Sequence, residues 1–226
     1  MSRYLDWLHR DEKPEVQREL TRREKISNWW DYHIWHVVIC VAAAALAVHL
    51  LWPAFSGVKP DYQVAYVGST ALPEGTAAAL ETALSSLGTD ANGDGQTVVA
   101  LRQYIIPDAM AYGYAAEAKL IGDLESCDSS IFLLEDAANF QARYFSLALL
   151  DGSLPREGDT SAEGAWVRWG DCPALAALPL DAETAGSQAL LADIAVARRG
   201  FVTEKTTDYP EACEALWAAM TRGAIS

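Results

Sequence analysis

The feature that most constrains this chain is an uninterrupted apolar run, IWHVVICVAAAALAVHLLW, at residues 34–52. It contains no Asp, Glu, Lys or Arg. As a helix rising ~1.5 Å per residue it measures about 28 Å, close to the hydrocarbon thickness of a bilayer. Aromatic side chains crowd its ends, as in membrane interfacial belts: Trp29, Trp30, Tyr32, Trp35 and Trp52. The run therefore predicts one transmembrane helix, with the lipid bilayer as its partner.

The distribution of basic residues predicts the orientation of this helix. Seven Lys and Arg residues lie within the first 25 positions, and only Lys59 follows the run closely. The positive-inside rule places a charged arm, residues 1–33, in the cytoplasm and the rest of the chain outside. A cleaved signal peptide and a buried helix of a soluble core are the alternatives. Because the arm is long for a signal peptide, we expect an uncleaved, single-pass anchor in the cell membrane.

The chain beyond the run is strongly acidic and contains no histidine. Residues 53–226 carry ten basic and twenty-four acidic side chains, so the net charge of −14 lies there. Such a surface repels phosphate backbones, and we expect no nucleic-acid partner. All four histidines precede residue 50, which removes the commonest general base and the commonest zinc ligand from this part. An enzyme is therefore the less favoured class, although paired carboxylates remain available.

Three cysteines, Cys127, Cys172 and Cys213, follow the run, where disulfides can persist. Their spacing matches no zinc template. They are either small buried residues or include one bridge, for which Cys127–Cys172 is the favoured pairing. Cys213 is the less suitable partner because its surroundings, EACEALWAAM, read as a helix.

After a linker at residues 53–61, strand and helix signals alternate through residues 62–226. Strands are predicted at residues 62–68, 96–106, 129–136, 165–169 and 193–202. Helices are predicted at residues 73–88, 109–126, 137–150 and 210–223. This alternation predicts an α/β fold: a three-layer extracytoplasmic domain with a mostly parallel or mixed sheet, preceded by the transmembrane helix.

The strand ends carry the candidate ligand-binding residues. In open α/β sheets, ligands bind beyond the carboxyl ends of the strands, near a switch in strand order. Ser69 and Thr70 offer hydroxyl and N–H groups to an anion, or serve only to enter the next helix. Glu135 and Asp136 suit a cation or an amine, or simply start the following helix. Tyr104, from the second strand, completes the predicted set.

The loop DANGDG, residues 90–95, begins like an EF-hand calcium loop, with Asp90, Asn92 and Asp94 at alternate positions. The position that requires a bidentate Glu is Leu101, and the following residues read as a strand. We therefore expect an ordinary polar turn rich in positive-φ positions. A looser calcium site on these three residues, completed by backbone and water, remains the second interpretation. No other cofactor is expected.

Two segments resemble a known group of proteins. NWWDYHIWHVVICV, residues 28–41, resembles the membrane entry of uncharacterised single-span bacterial surface proteins. VAYVGSTALPEGTAAALETAL, residues 64–84, and SSIFLLED, residues 129–136, are similar to their outer domain, which resembles one lobe of a periplasmic-type solute-binding protein. The resemblance covers roughly residues 28–136 and implies an anchored α/β domain of unknown ligand.

These observations lead to one main functional hypothesis and two alternatives. The main hypothesis is a membrane-anchored, extracytoplasmic, non-enzymatic domain that binds a small ligand or a membrane partner such as a transporter subunit. The alternatives are a cell-surface hydrolase that uses paired carboxylates and a structural component of the envelope.

Overall fold

The computed structural model describes residues 21–56, 59–107, 110–156, 164–182, 184–201 and 205–225. Most of the charged arm, including its apolar residues 4–8, lies outside the described residues. The chain divides into two compact units, Met1–Gly57 and Val58–Ser226.

The described part of the first unit is one helix, α1, Arg22–Ser56. A capping box starts it: the Thr21 N–H donates to Glu24 at 2.8 Å, and the Glu24 N–H donates to the Thr21 hydroxyl at 3.4 Å. By length and composition the segment Arg22–Leu50 is apolar enough to cross a membrane, and none of its apolar window is buried. A membrane anchor and a signal sequence both fit it.

The second unit contains a mixed sheet of five strands in its described residues, which confirms the predicted α/β class. The strand order is β2-β1-β3-β5-β4. β1 is parallel to β2 and β3, whereas β5 is antiparallel to β3 and β4. The strands are β1 Tyr62–Gly68, β2 Val99–Ile105, β3 Ile131–Leu134, β4 Trp166–Arg168 and β5 Ala195–Arg198.

Six further α-helices are described: α2 Glu74–Ser85, α3 Met110–Ser126, α4 Ala137–Tyr144, α5 Pro173–Ala176, α6 Ser187–Leu191 and α7 Pro210–Met220. Two single 3₁₀ turns, Trp169–Asp171 and Leu180–Ala182, link the shorter ones.

The predicted helix at residues 137–150 is too long, since α4 ends at Tyr144. Phe145 takes a left-handed conformation with φ 49° and ψ 38°. The buried Gln141 side chain then accepts the Leu147 N–H at 2.9 Å. Leu147 pairs with Arg199 as an isolated bridge. The chain leaves the helix because Leu147 gains a buried site and a partner near β5, which the local sequence pattern does not reveal.

The sheet has a hydrophobic core on each face. On β3, Ile131 and Leu133 belong to one core and Phe132 and Leu134 to the other, as the two-residue period of a strand requires. The first core also takes side chains from α2, α5 and α7, and the second takes side chains from α3 and α4. The described domain therefore has three layers, helices on both sides of a central sheet.

The crossovers explain why both faces are covered. From β1 the chain moves outward to β2 through α2, and then returns past β1 to β3 through α3. Parallel crossovers share one hand, so a reversal of direction puts the second helix on the opposite face. This reversal makes a topological switch point between β1 and β3.

The three cysteines of this unit are free and buried in the structure. Of the two alternatives left open by the sequence, the structure has small buried residues and no Cys127–Cys172 bridge. Cys172 and Cys213 pack in the same core as α2 and α7. Burial raises the pKa of both thiols, which opposes formation of the reactive thiolate.

Candidate functional site

The candidate site is a cleft beyond the carboxyl ends of β1 and β3, at the topological switch point. It encloses about 130 Å³. The segments that leave the two strands diverge here, because α2 and α4 lie on opposite faces of the sheet. Its polar and charged lining residues are Ser69, Glu135, Asp136, Asn139, Arg143 and Tyr144. Three of the five predicted ligand-binding residues, Ser69, Glu135 and Asp136, thus meet at the place the sheet rule indicated.

Glu135 holds the loop after β1 in place. Its Oε2 accepts the Ser69 N–H at 2.6 Å and the Ser69 hydroxyl at 2.8 Å. Its Oε1 accepts the Tyr66 hydroxyl at 2.6 Å, and that hydroxyl also lies 3.1 Å from the Thr70 carbonyl. The donors that Ser69 was predicted to offer to an anion are therefore turned toward a carboxylate of the protein itself.

Gly68 makes room for this arrangement. A β-carbon at position 68 would lie 2.5 Å from the Tyr66 hydroxyl and 2.6 Å from the carboxyl carbon of Glu135. Both distances are far shorter than van der Waals contact. A side chain at Gly68 would therefore displace the Glu135 carboxylate from the three donors whose hydrogen bonds it accepts.

The same contacts keep Glu135 ionised. Partial burial raises its pKa, but the hydrogen bonds from the Ser69 amide, the Tyr66 hydroxyl and the Ser69 hydroxyl outweigh that effect and leave the pKa below its usual value. Burial and the bond to Glu135 raise the pKa of the Tyr66 hydroxyl. At neutral pH the site therefore holds a fixed anion and a protonated phenol, neither of which is suited to act as a general acid or base.

Asp136 begins α4. Its carboxylate accepts the Asn139 N–H at 2.9 Å, which is the bond of a helix N-cap. One turn further along, Arg143 pairs with Glu117 of α3 at 2.5 Å, and the Tyr144 hydroxyl donates to the same carboxylate at 3.2 Å. The cleft thus combines two carboxylates at its head with a guanidinium at its far wall.

Tyr104 does not belong to this cleft, so that prediction places it wrongly. It is buried in the core under α3, and its hydroxyl donates to Asp123 at 2.5 Å. Asp123 also accepts the N–H and the hydroxyl of Ser129, at 2.9 and 2.6 Å. Tyr104 is the last residue but one of β2, and the two-residue period of the strand turns its side chain into the core.

The loop at residues 90–95 is held by its own polar groups and by Asp61. Asp90 accepts the N–H groups of Gly93 and Gly95, and Asp94 accepts that of Gln96, at 2.6 to 2.9 Å. Gly93 and Gly95 have φ values of 78° and 86°, which confirms the predicted positive-φ turn. β2 follows, so a helix–loop–helix EF-hand is excluded.

The calcium interpretation of this loop gains no support. Asn92 accepts the Asp94 N–H at 2.8 Å, so all three predicted ligands bond to backbone amides. The described residues contain no group of three or more His, Cys, Asp or Glu side chains placed to hold a metal ion. A weak calcium site at Asp90, Asn92 and Asp94 stays a prediction.

Sequence reasoning missed two kinds of residue in this part of the molecule. The first is the far wall of the cleft, Asn139 and Arg143, which lie one and two turns into α4 and away from any strand end. Their helical spacing from Asp136 was the signal that could have found them. The second is Asp61, the anchor of the 90–95 loop, which precedes β1 by one residue and bonds across about thirty positions. No local pattern marks such a contact.

Comparison of the chain with family models, with curated proteins and with solved structures finds no match. The resemblance to anchored solute-binding lobes therefore remains a prediction.

Proposed function

We propose that this chain is a membrane-anchored binding protein whose extracytoplasmic α/β domain holds a small polar ligand at the cleft beyond β1 and β3. The observation that carries the proposal is the convergence of Ser69, Glu135 and Asp136 with Asn139 at the switch point. Ligands of open α/β sheets bind at this position, where loops diverge without distorting the sheet. The helix α1, with its apolar run, serves as the uncleaved anchor.

The chemistry of the cleft favours an amine or a hydroxyl-bearing head group. The Ser69 donors are used by Glu135, so the groups left for a ligand at this end are the remaining acceptor sites of the two carboxylates and the Asn139 amide. A space of about 130 Å³ is equivalent to roughly four water molecules. The cleft therefore accommodates the head of a ligand, with the remainder in solvent or bound to a membrane partner such as a transporter subunit.

The hydrolase alternative has less support. The general acid of a carboxylate pair needs a raised pKa, whereas hydrogen bonds lower the pKa of Glu135 against the effect of burial. Asp136 is occupied in capping α4. Glu135 therefore lacks the environment that would keep a general acid protonated at neutral pH.

The test uses the full chain in lipid nanodiscs and a thermal-shift panel of small amines and polyols, including ethanolamine and glycerol. A ligand of the cleft raises the melting temperature of the wild type and loses this effect in Asn139→Leu, which fills the exposed cleft wall. Ala138→Leu, one position earlier on the exposed side of α4 and outside the cleft, is the matched control.

The proposal fails if no compound shifts the wild type and no stoichiometric membrane protein co-purifies with the chain in mild detergent. It also fails if Ala138→Leu abolishes the shift as fully as Asn139→Leu does.

A further inference from the structure

A second and larger cavity lies away from the candidate cleft. It is formed by the C-terminal end of α3, the segment that follows α4 and the segment that follows β5. Its volume is about 520 Å³, within the range of sites for metabolite-sized ligands. The cavity shares only Arg143 and Tyr144 with the switch-point cleft.

The charge of this cavity is opposite to that of the domain around it. Its charged lining residues are Arg143, Arg199, Lys205 and Glu125. Arg143 is paired with Glu117, outside the cavity. Arg199 and Lys205 form no ion pair with a carboxylate among the described residues. A domain with more than twice as many acidic as basic side chains thus places three cations and one carboxylate, Glu125, at one concave surface.

Part of this positive charge has a structural role. Two guanidinium nitrogens of Arg199 donate to the Asp123 and Leu124 carbonyls, and the Lys205 ammonium donates to the Glu125 carbonyl at 2.9 Å. These carbonyls belong to the last turn of α3, where a helix carries partial negative charge. Cations here satisfy the carbonyls at the end of α3. The helix end carries only about half a unit of negative charge, whereas Arg199 and Lys205 together carry two units of positive charge.

Two buried polar atoms remain without a partner. Arg199 and Ser146 are 8% and 9% exposed and both line the cavity. Within the residues that the structure describes, Nε of Arg199 and Oγ of Ser146 form no hydrogen bond. Burial of a charged N–H without an acceptor costs free energy that a bound acceptor would recover. The capping of α3 does not account for either atom.

The remaining wall is aromatic. Phe145 is 50% exposed and carries the left-handed backbone conformation that ends α4. The Arg199 guanidinium lies 5.7 Å from the centre of the Phe201 ring. A non-glycine residue in the left-handed region is strained, and such strain is concentrated at binding sites. An exposed ring held in this way offers a flat apolar surface beside the cations.

We propose that this cavity binds a small organic anion, with a carboxylate or phosphoryl head at Arg199 and Lys205 and a flat apolar body against Phe145 and Phe201. The head places negative charge beside the Arg199 guanidinium and the Lys205 ammonium, which form no ion pair with a carboxylate among the described residues. The site is separate from the switch-point cleft and does not depend on the function proposed there.

Phenyl phosphate and benzoate are suitable probes because they combine one anionic head with one aromatic ring. Isothermal titration of the full chain in nanodiscs, with empty nanodiscs subtracted, measures their affinity. Benzyl alcohol and benzylamine are the neutral and cationic analogues of the same shape. We expect at least one anion to bind at least ten-fold more tightly than both analogues, and its affinity to fall as salt rises.

The variants separate binding from folding. Lys205 is exposed, so Lys205→Gln should lower the melting temperature only slightly, through loss of the charged donor to the Glu125 carbonyl, and should weaken anion binding about ten-fold. Lys119→Gln, an exposed lysine on α3 outside the cavity, is the matched control and should bind as the wild type does. Arg199→Gln should abolish anion binding but also lower the melting temperature, because it removes the donors to the α3 carbonyls.

Three results would overturn the proposal: neither anion binds at up to about 10 mM, the neutral analogue binds as tightly as the anions, or Lys205→Gln binds like Lys119→Gln. Asn139→Leu, which alters the switch-point cleft, should leave the anion affinity unchanged. A loss of anion binding in that variant would assign the probe to the other site and also refute the proposal.

Discussion

At the scale of single residues, Asp61 holds a distant loop against the sheet, although no local sequence pattern marks it. It is 3% exposed and lies one residue before β1. One carboxylate oxygen accepts the Ala91 and Asn92 N–H groups at 2.8 and 2.9 Å, and the other accepts the Val98 N–H at 2.8 Å. It thus ties both ends of the loop at residues 90–95 to the start of the sheet.

Asp61→Asn should destabilise the protein by roughly 2–3 kcal/mol, because it removes the charge and turns an NH₂ donor toward a backbone donor. Urea unfolding of the full chain at pH 7 measures the loss. Asp94→Asn, an exposed change in the same loop, should cost less than about 0.5 kcal/mol. Equal losses in the two variants would show that Asp61 is no more important than any other loop carboxylate.

Asp61 also predicts a dependence of stability on pH. Burial raises its pKa, but hydrogen bonds from Val98, Asn92 and Ala91 outweigh burial and hold the pKa below its usual value. The unfolded state, with a pKa near ~3.9, therefore takes up the proton first as pH falls. The stabilisation is complete above the unfolded pKa and is lost as pH drops through the folded one.

The gap in unfolding free energy between wild type and Asp61→Asn should therefore narrow below about pH 4. Other carboxylates are common to both proteins and cancel in the difference. A difference in unfolding free energy that stays constant from pH 7 to pH 3 would contradict a lowered pKa of Asp61 in the folded protein.

At the scale of secondary-structure elements, the end of α4 is the most informative feature. The helix stops at Tyr144, and Phe145 carries a left-handed backbone that an L-residue adopts at a cost of roughly 1–2 kcal/mol. The buried Gln141 and Leu147 hold this conformation from both sides. The backbone is therefore strained at Phe145, which lines the cavity that contains Arg199 and Lys205.

Phe145→Gly should therefore be more stable than Phe145→Ala by about 1 kcal/mol, because glycine alone relieves the left-handed strain while both changes remove the ring. Thermal unfolding of the two variants tests this directly. Equal stability, or a more stable alanine variant, would contradict the strain. Both variants should lose affinity for the aromatic anion probes.

The elements show where sequence reasoning succeeds. The strands and helices of the β1–α2–β2–α3–β3 portion follow strong local periodicity, and the structure places them close to the predicted ranges. The early end of α4 and the antiparallel direction of β5 depend on contacts between distant segments, such as the Leu147–Arg199 bridge. The position of the candidate site could be predicted from the sheet topology. Its far wall could not, because Asn139 and Arg143 lie within α4 and not at the end of a strand.

At the scale of the whole molecule, one helix sets the expected location of the domain. α1 is 35 residues long and contains the uncharged run at residues 34–52. Seven Lys and Arg residues precede that run, whereas only Lys59 follows it closely, ahead of the acidic domain. The interpretation that unites these facts is an N-terminus in the cytoplasm and the domain outside.

This topology gives a direct prediction. In a bacterial host, the chain should remain in the membrane fraction after alkaline extraction, and protease added to spheroplasts should remove the acidic domain while sparing an N-terminal tag. Deletion of residues 34–52 should release the protein from the membrane. A protected domain and an exposed tag would show the opposite orientation, and a shortened mature chain would show cleavage.

Because Cys127, Cys172 and Cys213 are buried, the rate at which a thiol reagent labels each of them reports how readily the surrounding structure opens. Cys172 has no exposed surface, so a thiol reagent reaches it only when its core opens, and its labelling rate in the folded protein reports the free energy of that opening. Cys127 borders the cavity that contains Arg199 and Lys205, and it should react before Cys172. Residue-resolved mass spectrometry would measure the labelling rates of the cavity wall and of the core separately, without any mutation. A bound anion should slow the labelling of Cys127 and leave that of Cys172 unchanged.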